Sequence, residues 1–408
     1  MTIKKISEEE FTKFANNSPL KSFYESVEWY HLKQNEGKKC ELVGLYKGQK
    51  LVGASLIIYV RVLRKFYMAY ASRGFLYDYK NIKEFKEALK KYFSKDVIFF
   101  RMDPPVILAS YDKNLNKEFF EDSSNLIKEL KENKFIHYGF NNAYETMQFR
   151  FVMKMPVLDN MDNQLLGMNK STKKNINLAV EKGVCIKKGT IDDLDLAYEL
   201  FEKTNTRRNI QSFKKKFYLY LLNEFKDDAV IYLAYIDKSI YIHNMEEKLD
   251  NIKDNIFEIK KKMETYNVGH KLKKQLEEKE KEKEKVLIDL KEAQKLKDIT
   301  YIGSMISIFK FDEAVSLVSG MDNDYRKFCP KYAMYPAMIK DAIEKKYKYI
   351  NFLGVKNIFD SNDSDYGVYE IKKGFGASSI EYIGEFDLPF NKVLYRIYKF
   401  NENRGRKK

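Results

Sequence analysis

Along residues 41–59, ELVGLYKGQKLVGASLIIY, apolar side chains fill two short runs on either side of Lys47-Gly48-Gln49-Lys50. Runs of that length around a glycine turn predict two strands joined as a hairpin. After FYMAYASRGF, the residues Ile82, Phe85, Leu89 and Phe93 recur three and four apart, a helical face, and DVIFFRMDPP from Asp96 supplies a buried strand. The same order returns in the second half. AVIYLAYIDKS (229–239) reads as a strand reaching a turn, and TYIGSMISIF (300–309) matches KLVGASLIIY almost position for position. AVSLVSG, a helical stretch KYAMYPAMIKDAIEKK (331–346) and the strand YKYINFLGV follow. Two copies of one α/β unit account for this better than one large sheet, with a linker near residues 140–160.

Between the strands of the second hairpin stand residues 240–299 instead of a turn. Met245, Leu249, Ile252, Ile256, Ile259 and Met263 lie four and three apart, a heptad seam, before TYNVGH interrupts the helix. Leu272, Leu276, Val286, Leu290 and Ala293 continue a seam on the return, with Lys279 and Lys283 at its middle. The pattern predicts an antiparallel coiled-coil arm, each leg reaching roughly 30–40 Å at about 1.5 Å per residue. Such an arm serves as a spacer, a dimerisation coil or a grip on RNA, and the evenly mixed signs of KKQLEEKEKEKEK weigh against the grip. Near the C-terminus, YGVYEIKKGFGASSIEYIGEFD (366–387) reads as an alternating aromatic strand, a Gly-Phe-Gly turn and an acidic strand. On a pleated strand Lys372 and Lys373 would point to opposite faces, either as solvated surface lysines or with one of them facing a site.

At 408 residues the chain has room for two domains. A hydrophobic content of 44% with 15% aromatics excludes a disordered chain, and the net charge of +15 points to an anionic partner: nucleic acid, phosphate or a membrane surface. MTIKKISEEEFTKF lacks a signal-peptide core, and the longest apolar run, LVGASLIIYV (51–60), is too short to span a bilayer, so a cytoplasmic protein is expected. Cys40, Cys185 and Cys329 are scattered, as are His31, His137, His243 and His270, so neither a disulfide framework nor a metal site is expected.

The duplicated unit, the arm, FYESVEWYHLKQNEGKK, YASRGFLYDY, FFRMDPP, KSTKKNINLAVEKG and YGVYEIKKGFGASSIEYIGEFDLP together resemble the FemABX aminoacyltransferases over nearly the whole chain. The resemblance implies an α/β (α+β) fold of two tandem GCN5-related N-acetyltransferase-like domains, the arm inserted in the second. The expected division is 1–152, completed by 383–408; 153–382; and the arm, 240–299. It implies transfer of an amino acid, commonly glycine, alanine or serine, from aminoacyl-tRNA to the side-chain amine of a peptidoglycan stem peptide. No cofactor is required beyond that co-substrate. The acceptor is either lipid II or its soluble UDP-linked muramyl pentapeptide forerunner. The arm and the basic end YRIYKFNENRGRKK favour lipid II and a peripheral contact with anionic membrane at its inner face.

By resemblance Lys372 meets the tRNA terminus or the developing oxyanion, beside Ile371, where many relatives carry an aromatic residue; Lys373 is a phosphate contact or exposed. Lys33, four residues after Trp29, matches a lysine that holds the precursor's phosphates, or is a surface lysine. Arg73 shapes the pocket or pairs with an acid. Asp103, at a strand end, delivers a carboxylate or makes a turn. Glu385 orients the attacking amine or makes a salt bridge across the sheet. Lys214 and Tyr218 have the spacing of a family arginine and tyrosine, although a one-residue shift would put Phe213 at the arginine position. Two other readings are an acyl-CoA-dependent N-acyltransferase, for which KKGFGA lacks the spacing of a pyrophosphate loop, and a non-catalytic RNA-binding or scaffold relative.

Overall fold

The computed structural model describes residues 1–137, 147–209, 211–265, 270–356, 358–363 and 365–406, of which 403–406 by backbone alone. Its strands are β1 (Thr2–Lys5), β2 (Lys39–Lys47), β3 (Lys50–Leu63), β4 (Phe66–Ala71), β5 (Leu76–Tyr77), β6 (Val97–Met102), β7 (Ile107–Tyr111), β8 (Lys117–Phe119), β9 (Ile136–His137), β10 (Phe151–Pro156), β11 (Val184–Gly189), β12 (Ala229–Asp237), β13 (Ile299–Lys310), β14 (Glu313–Met321), β15 (Tyr349–Val355), β16 (Ser378–Tyr382) and β17 (Phe386–Pro389). They form two mixed sheets, ordered β1-β2-β3-β4-β6-β17-β9, with β5 on β3, and β11-β12-β13-β14-β15-β10-β16-β7-β8.

The repeat read in the sequence is visible in the sheets. The hairpin β2/β3 closes with Lys47 opposite Lys50, and β4 then pairs parallel to β6 across the helix Ile82–Tyr92. The second copy has β12 antiparallel to β13, and β14 parallel to β15 across the helix Pro330–Glu344. A parallel pair needs such a crossover, so the helix is dictated by the strand order. The sheets trade strands: β7 and β8 leave the first half for the second sheet, whereas β17 returns to the first, between β6 and β9. The helices Val27–Asn35 and Lys215–Phe225 share one core through Trp29, Leu32, Phe217 and Leu221, which joins the two halves.

Three expectations change. Residues 140–146 of the expected linker lie outside the described residues, and Phe151–Pro156 is a strand inside the second sheet, between β15 and β16. Tyr366–Gly374 is an α-helix, not a strand. The three-residue step from Tyr366 to Tyr369 to Lys372, and not the alternation, selects the inward face; Tyr369 and Lys372 are buried. A run this short satisfies both periods, so pattern alone does not decide it. Gly374 is required at the helix end because a Cβ there would stand 2.4 Å from Thr172 Oγ1 on the neighbouring helix, and Gly376, with φ +96°, makes the turn into β16. The third change concerns residues 238–293. Two helices, Lys238–Thr265 and His270–Ala293, run back along each other between β12 and β13, with Lys260 Nζ 3.4 Å from Glu280. Their near ends are part of the second core, through Tyr241, Met245, Leu249, Val286 and Ala293.

Candidate functional site

Between the sheets opens a cleft of about 580 Å³, continued by a cavity of about 500 Å³ that shares Phe23, Pro105, Lys154, Glu313 and Tyr382 with it. The first half contributes Trp29, Lys33 and Arg73 to the cleft wall, the second Phe213, Leu353 and Gly354.

Lys33 sits one turn beyond Trp29 on the helix that Ser26 caps by accepting from Trp29 N at 3.2 Å. Its Nζ lies 4.4 Å from the Trp29 ring and 5.2 Å from that of Phe217, and bonds Glu36 at 2.6 Å. Burial pushes its pKa down against that carboxylate. An ammonium packed on two rings and half-neutralised by one acid is a ready contact for an anion entering the cleft.

Arg73 and Asp103 work as a unit. Arg73, at φ +53°, donates its backbone N–H to Asp103 Oδ1 at 2.7 Å, and Tyr70 donates its hydroxyl to Oδ2 at 2.9 Å. Burial raises the Asp103 pKa although Arg73 is near. With both oxygens engaged, Asp103 holds the loop, and the guanidinium it positions lies 4.7 Å over Tyr382, in the cleft wall. Gly74 follows because the carboxylate of the fully buried Glu25 occupies the space a Cβ would need, 2.0 Å from it. Glu25 is fixed by Ser55 Oγ and Leu56 N, each at 2.6 Å, and burial raises its pKa well above the ordinary.

Glu385 is not in the cleft wall: it is buried directly before β17, 3.3 Å from Arg101 Nη1 on β6, the salt-bridge alternative weighed for it. Lys214 is exposed at the start of its helix and also lies off the wall. Beside it Phe213, stacked at 4.0 Å on Phe217, faces the cleft. Tyr218 is buried in the shared core, its hydroxyl 3.2 Å from that of Ser212.

On the helix Tyr366–Gly374 the two lysines differ because successive helical residues point about 100° apart. Ile371 is half-buried against the second core. Lys373 pairs with Glu370 over the Tyr369 ring. Lys372 turns inward. At Leu353 (φ +57°) the register of β15 against β10 shifts, and the carbonyls of Gly354 and Leu353 accept from Lys372 Nζ at 2.8 and 3.4 Å. Those two residues line the cleft, so Lys372 approaches it from behind. Burial, and secondarily the charge of Lys331, bring its pKa down to about 7.

Lys331 was not anticipated from the sequence. It stands half-buried in the first turn of the helix Pro330–Glu344, an end whose dipole already favours anions. Burial and the guanidinium groups of Arg208 and Arg207 hold its pKa at about 8. Arg208 pairs with Asp365, and Arg207 donates to Asn323 at 3.0 Å. Lys331 is thus repelled by the two arginines and Lys372 by Lys331, a repulsion that an anion joining them would relieve. The parallel pairing of β14 and β15 covers only Glu313–Val315 against Tyr349–Asn351, and β14 runs on to Met321 before the chain enters this helix. The entering segment NDYRKFC carries no glycine, unlike a loop that cradles pyrophosphate on backbone amides. Among the described residues no His, Cys, Asp or Glu cluster is arranged to hold a metal.

The family described as FemAB family matches residues 6–403. The chain is 27% identical to Aminoacyltransferase FemA of Staphylococcus aureus strains RF122 and MW2, over 98% of its own length and 97% of theirs. A solved structure titled "Crystal structure of FemX" superposes with a TM-score of 0.75 at 21% identity, covering 97% of this chain and 99% of that one.

Proposed function

Because the chain belongs to the FemAB family and is an aminoacyltransferase of peptidoglycan cross-bridge synthesis, we propose that it carries an amino acid from aminoacyl-tRNA to the side-chain amine of the stem peptide of lipid II. Glycine, alanine or serine is the residue moved. The observation that carries this reading is the buried Lys372, backed by Lys331 and bonded to the Gly354 and Leu353 carbonyls behind a cleft whose other wall holds Lys33 and Arg73. A cationic place on the cleft wall and a second one behind it suit two polyanionic substrates, one bringing an ester and the other an amine.

In aminolysis the neutral amine attacks the ester carbonyl, a tetrahedral oxyanion forms, and collapse expels the ribose hydroxyl, which takes up the proton the amine loses. Close placement of the two partners supplies much of the rate. Lys372 donates to the oxyanion or to the terminal phosphate of the donor, and Lys331, Arg207 and Arg208 hold further donor phosphates. Lys33 takes the pyrophosphate of the acceptor, and Arg73, fixed by Asp103, shapes its path. Glu385, buried against Arg101, acts on the first sheet and not on the reacting atoms. Mixing the protein with charged tRNA and precursor, then weighing the stem peptide, tests the reading. A mass increase of one amino acid is expected, and no increase with any of the three charged tRNAs overturns it.

A further inference from the structure

The C-terminal helix Lys392–Arg406 has apolar side chains on two faces. One face carries Leu394, Tyr395 and Tyr398 onto the first sheet, with the Tyr395 and Tyr398 rings 5.1 and 5.0 Å from that of Phe99. The other presents Val393, Ile397 and Phe400, at i, i+4 and i+7, which are 67%, 46% and 57% exposed. A helix apolar on both faces expects a second covering. Among the described side chains of the helix the charge around the stripe is basic: Lys392, Arg396 and Lys399 stand with one acid, Glu402, which Lys399 engages. The hairpin tip between β3 and β4 packs Val62, Leu63 and Phe66 into the same cluster as this helix, and its turn adds exposed Arg64 and Lys65.

We propose that this helix and hairpin tip form a membrane-docking surface for a bilayer containing anionic lipid, the stripe entering the interface and the basic residues meeting the headgroups. A second copy of the chain fits less well, because it would bring two cationic faces together; a nucleic acid would leave the apolar stripe unused. The position is informative. Val60 and Tyr70 belong both to the cluster that seats the helix and to the wall of the cleft. A bilayer docked there lies beside the cleft, where an acceptor carried on a lipid arrives. The docking surface stands on its own geometry; only its use rests on the lipid II reading.

Co-sedimentation of the full chain with phosphatidylcholine vesicles, with and without phosphatidylglycerol and without any precursor, tests the surface. Binding is expected only with the anionic lipid and weakens with salt. The triple variant Val393→Ser, Ile397→Ser, Phe400→Ser and, separately, the pair Arg64→Gln, Lys65→Gln should each bind on the order of tenfold more weakly while melting like the parent. If the triple variant does not fold, the hairpin pair and Phe400→Ser alone carry the test. Binding indifferent to anionic lipid, or variants that bind like the parent, overturn the proposal; a triple variant that changes oligomeric state with vesicle binding intact assigns the stripe to a second copy and overturns it too. Transfer to lipid II dispersed in detergent, which needs no bilayer docking, separates the two readings. Variants that keep this transfer but lose vesicle binding support the surface, whereas a parent that binds vesicles but transfers nothing sinks only the enzymatic reading.

Discussion

Replacing Lys372 by methionine separates the cost of a buried ammonium from the use made of it. Burial, with the charge of Lys331 behind it, holds Lys372 at about 7 where a free lysine has 10.5. At neutral pH and below, the fold therefore carries a charge disfavoured by on the order of 5 kcal/mol. The substitution also removes the donor to the Gly354 and Leu353 carbonyls, which costs about 1–3 kcal/mol. Lys372→Met should thus stabilise the ligand-free protein by roughly 2–4 kcal/mol at pH 6. The folded pKa lies below the unfolded one, so between about 7 and 10.5 the unfolded chain binds more protons and the parent gains stability as pH rises. The advantage of the variant shrinks across that window and vanishes or reverses by about pH 10. The repulsion between Lys331 and Lys372 is part of that disfavoured charge and is relieved with it in the variant. Urea denaturation of both proteins at pH 6, 8 and 10 measures the difference. A difference that does not change with pH, or a variant less stable at pH 6, refutes the electrostatic account. The same variant should transfer on the order of a hundredfold more slowly; full activity in it would remove Lys372 from the site.

Lys373→Ala, which loses only a pair with Glu370, should leave single-turnover transfer within about threefold of the parent, whereas Lys331→Gln should raise the KM for charged tRNA on the order of tenfold with little change in kcat; equal effects of the two would dissolve the cation group. Asp103→Asn keeps the shape but replaces one acceptor of the Tyr70 hydroxyl and Arg73 N–H by a donor, so a loss of about 1–3 kcal/mol by urea denaturation is expected, and unchanged stability would show that the carboxylate does not hold the loop. Replacing 257–281 by a short glycine turn should spare thermal stability, because the helix ends that complete the second core remain, whereas removal of 243–297 takes Met245, Leu249 and Val286 with it and should lower the melting temperature clearly; identical melting of the two deletions would contradict that core.

Much of the fold was legible because both hairpins and both crossover helices show strong, long periodicities, and because the second copy repeats the first. The helix Tyr366–Gly374 was not, since nine residues of mixed aromatic and charged character satisfy either period and the decision falls to Thr172 and Asn169 packing against Gly374. Lys33 was singled out by resemblance to a family lysine and Arg73 by the glycine directly after it, and both line the cleft. The group around Lys372 draws on positions 207, 208 and 331, which only the tertiary fold brings near, and no spacing announces it. At 213 and 214 a single residue of register separated an exposed lysine from the aromatic ring that reaches the cleft, a distinction set by the helix start at Lys215.

The exchange of strands between the sheets bears on how the chain is made. β6 receives one neighbour, β4, within the first half, but the other edge of it waits for β17; Arg101 and its ion-pair partner Asp387 are 286 residues apart. At about 5–20 residues per second, a ribosome needs on the order of 15–60 s to deliver that partner. For that interval the nascent first half exposes a strand edge, VIFFRM, that is apolar and ready to pair with any other chain. The buried Arg101 in that strand serves as a gatekeeper during synthesis, a charge that penalises wrong pairings until Asp387 arrives to match it.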